Sequence, residues 1–525
     1  MSGPAAQTFA GPMFDATPFS RLYAVWRRSQ LAFQDAAWSQ KWQLKGLLQR
    51  AAQTQFGREH GFSQIRHVGE YQERVGLRSY DDFWRDYWQA GFPRLTDVTW
   101  PGTIPYFALT AGTTTGKTKY IPCSSDMNQS NLWAAIDLLV HHLANRPASA
   151  ILGGKSFMLG GSTDLAELAP GIYAGDLSGI AVKEIPWWAR PRYFPPLDLA
   201  LIADWEEKIG RLAPLSLEQD IRAISGTPSW LLVFIDKLME YRPGAARRLA
   251  ELYPNLELIA HGGVNFAPYR KQFEDLLEGS RAETREVYPA SEGFIAIADR
   301  GPDEGLRLIL DNGIFFEFVP VEELGRARPT RHWIGNAEIG VNYAIVLSTC
   351  AGLWGYILGD TVRFVELQPP RILVTGRTAY SLSAFGEHLI NEEIEQSVAR
   401  AAQEIGAVIA DYAVGPVFPE HPGELGGHLF IVEFAGLPQA PAMARFAESL
   451  DRELAARNED YRAHRSHGFG MKSPTVLVAK PGSFAAWMKA RGKLGGQHKV
   501  PRVINDPALL RELRDFVSGG RPAEA

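Results

Sequence analysis

Residues 110–122 read TAGTTTGKTKYIP, and the fold turns on which kind of phosphate loop this stretch forms. A Walker A loop needs Gly, four residues, then Gly-Lys-Ser/Thr. Counting back from Gly116-Lys117-Thr118 puts Ala111 at the first position, with Gly112 one place too late. A Walker A loop also leaves a buried strand and opens a helix at its Lys-Thr. Here the chain runs on as KYIPCSS, which reads as a strand broken by Pro122. The Gly-Lys-Thr is therefore a coincidence of composition. The composition itself still needs a cause: four threonines and two glycines stand in the seven residues from Thr110 to Gly116. Glycine lets a backbone approach a ligand closely, and a concave loop rich in N–H groups and hydroxyls suits a polyphosphate. A plain Gly/Thr surface turn would have the same composition, so the loop alone favours phosphate only modestly.

On the N-terminal side, FSRLYAVWRRSQLAFQDAAW and WQLKGLLQRAAQTQFG carry apolar residues at three- and four-residue spacing and read as helices. LRSYDDFWRDYWQAGFP continues the pattern to a Gly-Phe-Pro stop. On the C-terminal side, short apolar strands mix with helices. LELIAHGG reads as a strand and Gly turn, and PYRKQFEDLLEG as a helix from near Pro268 to Gly279. LRLILDNGIFFEFVPV is expected to be a hairpin turning at Asp311-Asn312-Gly313. NYAIVLSTCAGLWGYILGDTVRFVEL is further strand, with a Gly-Asp turn at Asp360. This is α/β with mixed sheets rather than clean βαβ repetition. A break falls near LQPPRILVTGRTAYSLSAFGEHL, before a helix that Asn391 is expected to cap. The alternation after it suits a small α+β domain. The expected division is 1–379 for a large N-terminal domain and 380–525 for a smaller C-terminal one.

The 525 residues suffice for two domains, and 46% hydrophobic against 22% charged is ordinary for a globular chain. A net charge of −5 gives no reason to expect nucleic acid. The balance is uneven, however: residues 480–502 hold six basic side chains and no acidic one. A solvated face accounts for most of them, and a basic segment facing a phosphate is the sharper reading. Two cysteines, Cys123 and Cys350, make no disulfide framework and fit a reducing compartment. The first residues lack the basic start and apolar run of a secretion signal, and no apolar run approaches the ~18 residues of a membrane span. A cytoplasmic protein with no membrane partner is expected.

Two further segments carry chemistry. In REVYPASEGFIAIAD, Glu292 stands beside Gly293 at a strand end, where a carboxylate could hold Mg²⁺ against phosphates. In LWGYILGDTVRFVE, Asp360 could accept hydrogen bonds from a ribose diol. Each has a bland counterpart, an exposed Glu at a strand end and a common Gly-Asp turn.

The ordered set is the Thr/Gly loop, then Tyr-x-x-Ser-Glu, then Tyr-x-x-Gly-Asp, then Thr-Gly-Arg. It resembles that of the auxin-responsive acyl acid–amido synthetases, in a bacterial-type version. These belong to the adenylate-forming superfamily with acyl-CoA synthetases, nonribosomal adenylation domains and firefly luciferase. GTPSWLLVFIDKL, LELIAHGGVNFAPYRKQFEDLL, GIFFEFVPVEEL, LVTGRTAYSLSAFGEHLINEEIEQSV and GGQHKVPRV resemble family segments in the family's order.

The resemblance implies an α/β adenylate-forming fold with ATP and Mg²⁺. ATP phosphates fall to Thr110, Gly112, Thr113, Thr114 and Thr115, and the adenine and metal segment to Tyr288, Ala290, Ser291 and Glu292. Glu292 is the metal contact, Asp360 the ribose aspartate, and Arg377 closes the Thr-Gly-Arg before the hinge. Lys499 matches the lysine that the family brings from its small domain to phosphate and carboxylate. There, two anions meet, and an ammonium stabilises the charge that develops. The chain departs from the pattern at Ala111, Pro289, Ile357 and His498. The implied reaction joins a carboxylic acid to AMP with loss of pyrophosphate, then passes the acyl group to an amine, that of an amino acid foremost. Trp230 is a candidate for the acid pocket or for plain core. His498 and His388 are candidates for taking the amine's proton. The rival readings are an acyl-CoA synthetase, a non-catalytic nucleotide-binding protein and, as a discriminable outsider, a P-loop ATPase releasing ADP.

Overall fold

The computed structural model describes residues 13–111, 118–160, 165–200, 202, 205–263, 266, 269–301, 304–378, 389, 391–418, 425–458, 461, 462, 465, 471–492 and 500–519. Among them the strands form three sheets. A four-stranded sheet has β1 (Tyr106–Ala111) flanked by β2 (Thr118–Cys123) and β5 (Ile172–Gly175), with β4 (Leu165–Ala169) outside β5. β1 and β2 are antiparallel, with Ala111 opposite Thr118 and Phe107 opposite Pro122. Thr118 therefore opens a strand and not a helix, which removes the Walker A geometry. Pro122 does not break that strand. β2 is the sheet edge, where a missing N–H costs no ladder bond.

The second sheet has twelve strands. From one edge run β13 (His332–Trp333), β12 (Ile314–Pro320), β14 (Asn342–Thr349), β15 (Tyr356–Leu367), β16 (Pro370–Arg377) and β11 (Leu306–Leu308). Then come β10 (Gly293–Ile297), β9 (Glu283–Ala290), β8 (Leu258–Gly262), β7 (Ile221–Gly226), β3 (Lys155–Met158) and β6 (Tyr193–Phe194). The β9-to-β6 half is parallel, and the pairs from β13 to β16 are antiparallel. Helix Ser125–Asn145, capped by Ser124 accepting from the Met127 N–H, packs Ala134 against Ile297 and Ile309.

The expected hairpin between β11 and β12 does not form. β11 pairs with β10 and β16, and β12 with β13 and β14. The Asp-Asn-Gly turn is real, but it is tied to other elements. Asn312 Nδ2 donates to the Ser130 carbonyl at 2.6 Å, Gly313 accepts from the Cys350 N–H at 2.8 Å, and Asp311 pairs with Arg27 at 2.9 Å. Those ties carry the chain away from β11 before β12 starts. Gly313 has a φ of +80°, and a Cβ there would meet Cys350 Sγ at 2.5 Å.

The third sheet, β17 (Ile409–Val417), β18 (Gly427–Phe434) and β19 (Thr475–Ala479), is the small domain. Alternate side chains point to opposite faces. Tyr412, Val414, Phe430 and Val432 meet helices Asn391–Glu404 and Ala440–Arg457, while Ala413, Leu429 and Ile431 meet helices Ser483–Ala490 and Pro507–Val517. Asn391 is the first helical residue and not the cap, and its Nδ2 donates to Glu395 at 2.7 Å. Among the described residues no helix is long and apolar enough to cross a membrane.

Candidate functional site

A single cleft of about 2760 Å³ is bounded by the β9–β10 turn, the end of β8, the middle of β15 and the facing surface of the small domain. Its polar wall is built from residues far apart in the chain. Tyr288 lies near the end of β9, and Ser291-Glu292 make the turn into β10. Gly293 opens β10 with a φ of +149°, where a Cβ would stand 2.7 Å from Ile314 Cδ1. Only glycine lets the turn pack this closely.

Asp360 is not in a turn between strands, as the Gly-Asp pair suggested. It lies inside β15. Gly359 has a φ of +92°, and the β14–β15 register shifts between Ala344 and Val346. This is a bulge, which re-aims the side chain that follows. Asp360 is 9% exposed and lines the cleft, where Oδ2 accepts from the Tyr288 hydroxyl at 2.6 Å. β16, β11 and β10 separate β15 from β9. On a flat sheet four strand spacings would hold them about 19 Å apart. The sheet must curl to close that distance, and the curl makes the concave wall.

Beside this pair, the Tyr356 hydroxyl donates to Glu292 Oε1 at 3.1 Å. Tyr356 was legible as the first residue of Tyr-x-x-Gly-Asp, but it was not read as part of the site. Thr110, Ala290 and Ser291 also line the cleft. In the β15–β16 ladder Arg377 stands opposite Asp360, so the Gly-Asp and Thr-Gly-Arg motifs are two strands of one element. Gly376 lets that strand pass close to the small domain, since a Cβ there would lie 2.7 Å from Asn391 Cβ. The Arg377 side chain, Gly112, Thr113, Thr114, Thr115, Lys499, His388 and His498 lie outside the described residues.

Trp230 stands on helix Pro228–Tyr241. It lines the cleft and packs partly buried against the core beneath. His261, at the end of β8, was missed. It lines the cleft, stacked on Phe266 at 3.8 Å, and burial with the nearby Arg270 charge pushes its imidazole down to about 3. It is neutral at pH 7 and a poor acceptor for an amine's proton. The small domain contributes Asp411, Tyr412 and Arg502 to the cleft, also unread in the sequence. Among the described residues no group of three His, Cys, Asp or Glu is placed to hold a metal ion.

This curled sheet and its small companion domain form the fold of the adenylate-forming enzymes. The structure matches the GH3.15 acyl acid amido synthetase with a TM-score of 0.77 over 97% of both chains at 19% identity. It also matches 2-hydroxyisobutyryl-CoA ligase in its postadenylation state, with a TM-score of 0.62 over 94% of both at 15% identity. The family signal is in the sequence. The GH3 family N-terminal domain matches residues 27–162 and 166–282, the central domain 307–377 and the C-terminal domain 392–508. Together these take in most of the chain, which belongs to the GH3 family, as the motif order implied.

Among curated proteins it is 26% identical to the probable indole-3-acetic acid-amido synthetase GH3.9 of Oryza sativa subsp. japonica, over 43% of this chain and 55% of that one. It is 24% identical to indole-3-acetic acid-amido synthetase GH3.3 of Arabidopsis thaliana, over 50% and 46%. The chain thus spans about half the length of the curated relatives it matches.

Proposed function

We propose that this chain is an ATP-dependent acyl acid–amido synthetase of bacterial type acting in the cytoplasm. One observation carries the reading. Tyr288, Glu292, Tyr356 and Asp360 come from two segments more than 60 residues apart, yet meet in two hydrogen-bonded pairs on the wall of the cleft. A ribose diol needs a fixed carboxylate, which Asp360 supplies with Tyr288 steadying it. Glu292, held by Tyr356, can offer one oxygen to the Mg²⁺ that accompanies ATP. A nucleotide-borne Mg²⁺ takes its other ligands from phosphates and water and needs no all-protein cage. Thr110 and the loop through Gly112, Thr113, Thr114 and Thr115 take the phosphates, with Ala290, Ser291 and Arg377 lining the nucleotide site.

In the first step a carboxylate oxygen attacks the α-phosphorus. The bond to the β-phosphate oxygen breaks, and pyrophosphate leaves with the electron pair. Lys499, on a small domain that we take to begin near residue 380, stabilises the charge where the two anions meet. In the second step a neutral amine attacks the acyl carbon. The bond to AMP breaks, and the amine's surplus proton passes to a base or water. Trp230 and the apolar wall beside it suit an aryl or alkyl acid. The experiment is acid-dependent exchange of labelled pyrophosphate into ATP across a panel of carboxylic acids. Exchange with one class, followed by AMP and amide on adding an amino acid, supports the reading. Thioester on adding CoA would replace it with the synthetase reading, and ADP as product would remove both.

A further inference from the structure

Arg502 lies three residues beyond Lys499 and, among the described residues, is a cation that faces the cleft from the small domain. Its backbone is part of a strand-like edge. The Val414 N–H donates to the Arg502 carbonyl at 2.8 Å, the Ile504 N–H to Val414 at 2.7 Å, and Val503 and Ile504 are buried. Its guanidinium pairs with Asp411, donates to the Tyr412 carbonyl at 3.0 Å and lies 4.5 Å from the Tyr412 ring centre. Its other terminal nitrogen leaves the small domain altogether and donates to the Tyr269 hydroxyl at 3.4 Å. Tyr269 is 5% exposed, and its ring is part of the large domain's core with Phe266 and Phe273. A rigidly mounted hydroxyl on one domain thus meets an anchored cation on the other. A second tie, Arg363 to Glu392 at 3.1 Å, is more exposed. Exposed pairs contribute little.

We propose that Arg502 is a positioning residue for acyl-adenylate formation, holding its own edge of the small domain against the large domain through its bond to Tyr269. This rests on the two-step reading above. Three residues of chain reach at most about 11 Å, so fixing Arg502 confines the start of the lysine's tether. Charge builds on the α-phosphate only in the first step, so loss of the contact is felt there. The second step starts from the finished adenylate and needs no cation between two anions. The junction is also built to be separable. The Tyr269 contact is long, and the buried Tyr412 hydroxyl beside it has no hydrogen-bond partner among the described residues. A partly satisfied polar junction is easier to open than a complete one.

The test uses Tyr269→Phe and Arg502→Lys in the full chain. Three readouts are compared: pyrophosphate exchange, aminolysis of chemically supplied acyl-adenylate, and the ligand-free radius of gyration from solution scattering. Tyr269→Phe should slow exchange about tenfold. Arg502→Lys, which loses the planar fork, should slow it about a hundredfold. Both should leave aminolysis within about twofold of wild type and give a larger radius of gyration. Equal losses in both steps, or wild-type exchange in Tyr269→Phe, would overturn the proposal. Tyr269→Phe leaves the Arg502–Asp411 pair intact and so decides the matter should Arg502→Lys fail to fold. If wild type exchanges with no acid, the two-step reading falls instead. The scattering then judges the docking alone: unchanged dimensions in both variants sink it, and expanded ones uphold it without its link to adenylation.

Discussion

Two hydrogen-bonded polar clusters in the large domain have the geometry of working groups, and only one faces the cleft. Behind the sheet, His142 Nδ1 lies 2.9 Å from Glu283 and Nε2 lies 3.1 Å from Ser149 Oγ, the spacing of a nucleophile, base and orienting acid. His142 is 0% exposed, and none of the three lines the cleft. Ser149 Oγ also accepts from the Ile151 N–H, and Arg285 pairs with Glu283 at 2.6 Å. In front, Asp360 with Tyr288 and Glu292 with Tyr356 are nearly as buried, yet all four line the cleft. The difference is access. The rear cluster joins helix Ser125–Asn145 to β9, and none of its three side chains opens onto the cleft. Correct spacing without access to the cleft makes a structural bracket.

The strongest challenge to that comparison is at the small domain. Lys499→Ala should lower pyrophosphate exchange by about 10²–10³ with the fold intact. A loss of less than tenfold would remove Lys499 from the chemistry. Asp360→Ala should raise the KM for ATP by about 10–100-fold, and Tyr288→Phe by several-fold, measured by initial rates at saturating acid. His142→Ala should do the reverse. It should cost about 3 kcal/mol of unfolding free energy in urea and leave kcat of the folded enzyme unchanged. Lost turnover at full stability would make the sealed cluster a site after all.

Glu283 sharpens the same contrast through pH. Burial alone would raise its carboxyl, but the His142 hydrogen bond and the Arg285 charge outweigh that and hold it at about 2 against an ordinary 4.5. A depressed acid stabilises the fold above its unfolded value and loses that stabilisation as pH falls. The melting temperature of wild type should therefore converge on that of Glu283→Gln as pH drops from about 4.5 toward 2. The smallest effect is expected at Trp230→Ala, a few-fold rise in KM for the acid, because the ring divides its area between cleft and core.

Much was legible along the chain. Ala111 at the first position and the strand-like run from Lys119 onward were enough to reject a Walker A loop, because each violates a local backbone requirement. Tyr288, Glu292 and Asp360 were legible as motif residues in order, and the small domain as an alternation of strands and helices. Other features were not. The β11–β12 pairing was read from a good turn signal, and Asp311, Asn312 and Gly313 do turn, but ties to Arg27, Ser130 and Cys350 choose the partner strand. The Gly359 bulge, the contact between Asp360 and Tyr288 and the reach of Arg502 to Tyr269 have no local signature at all. Turn chemistry, periodicity and loop composition depend on a residue and its near neighbours, so a sequence read alone determines them. Strand partners, the curl of a sheet and the meeting of two domains depend on which distant surfaces exclude water together, and only the folded chain decides that.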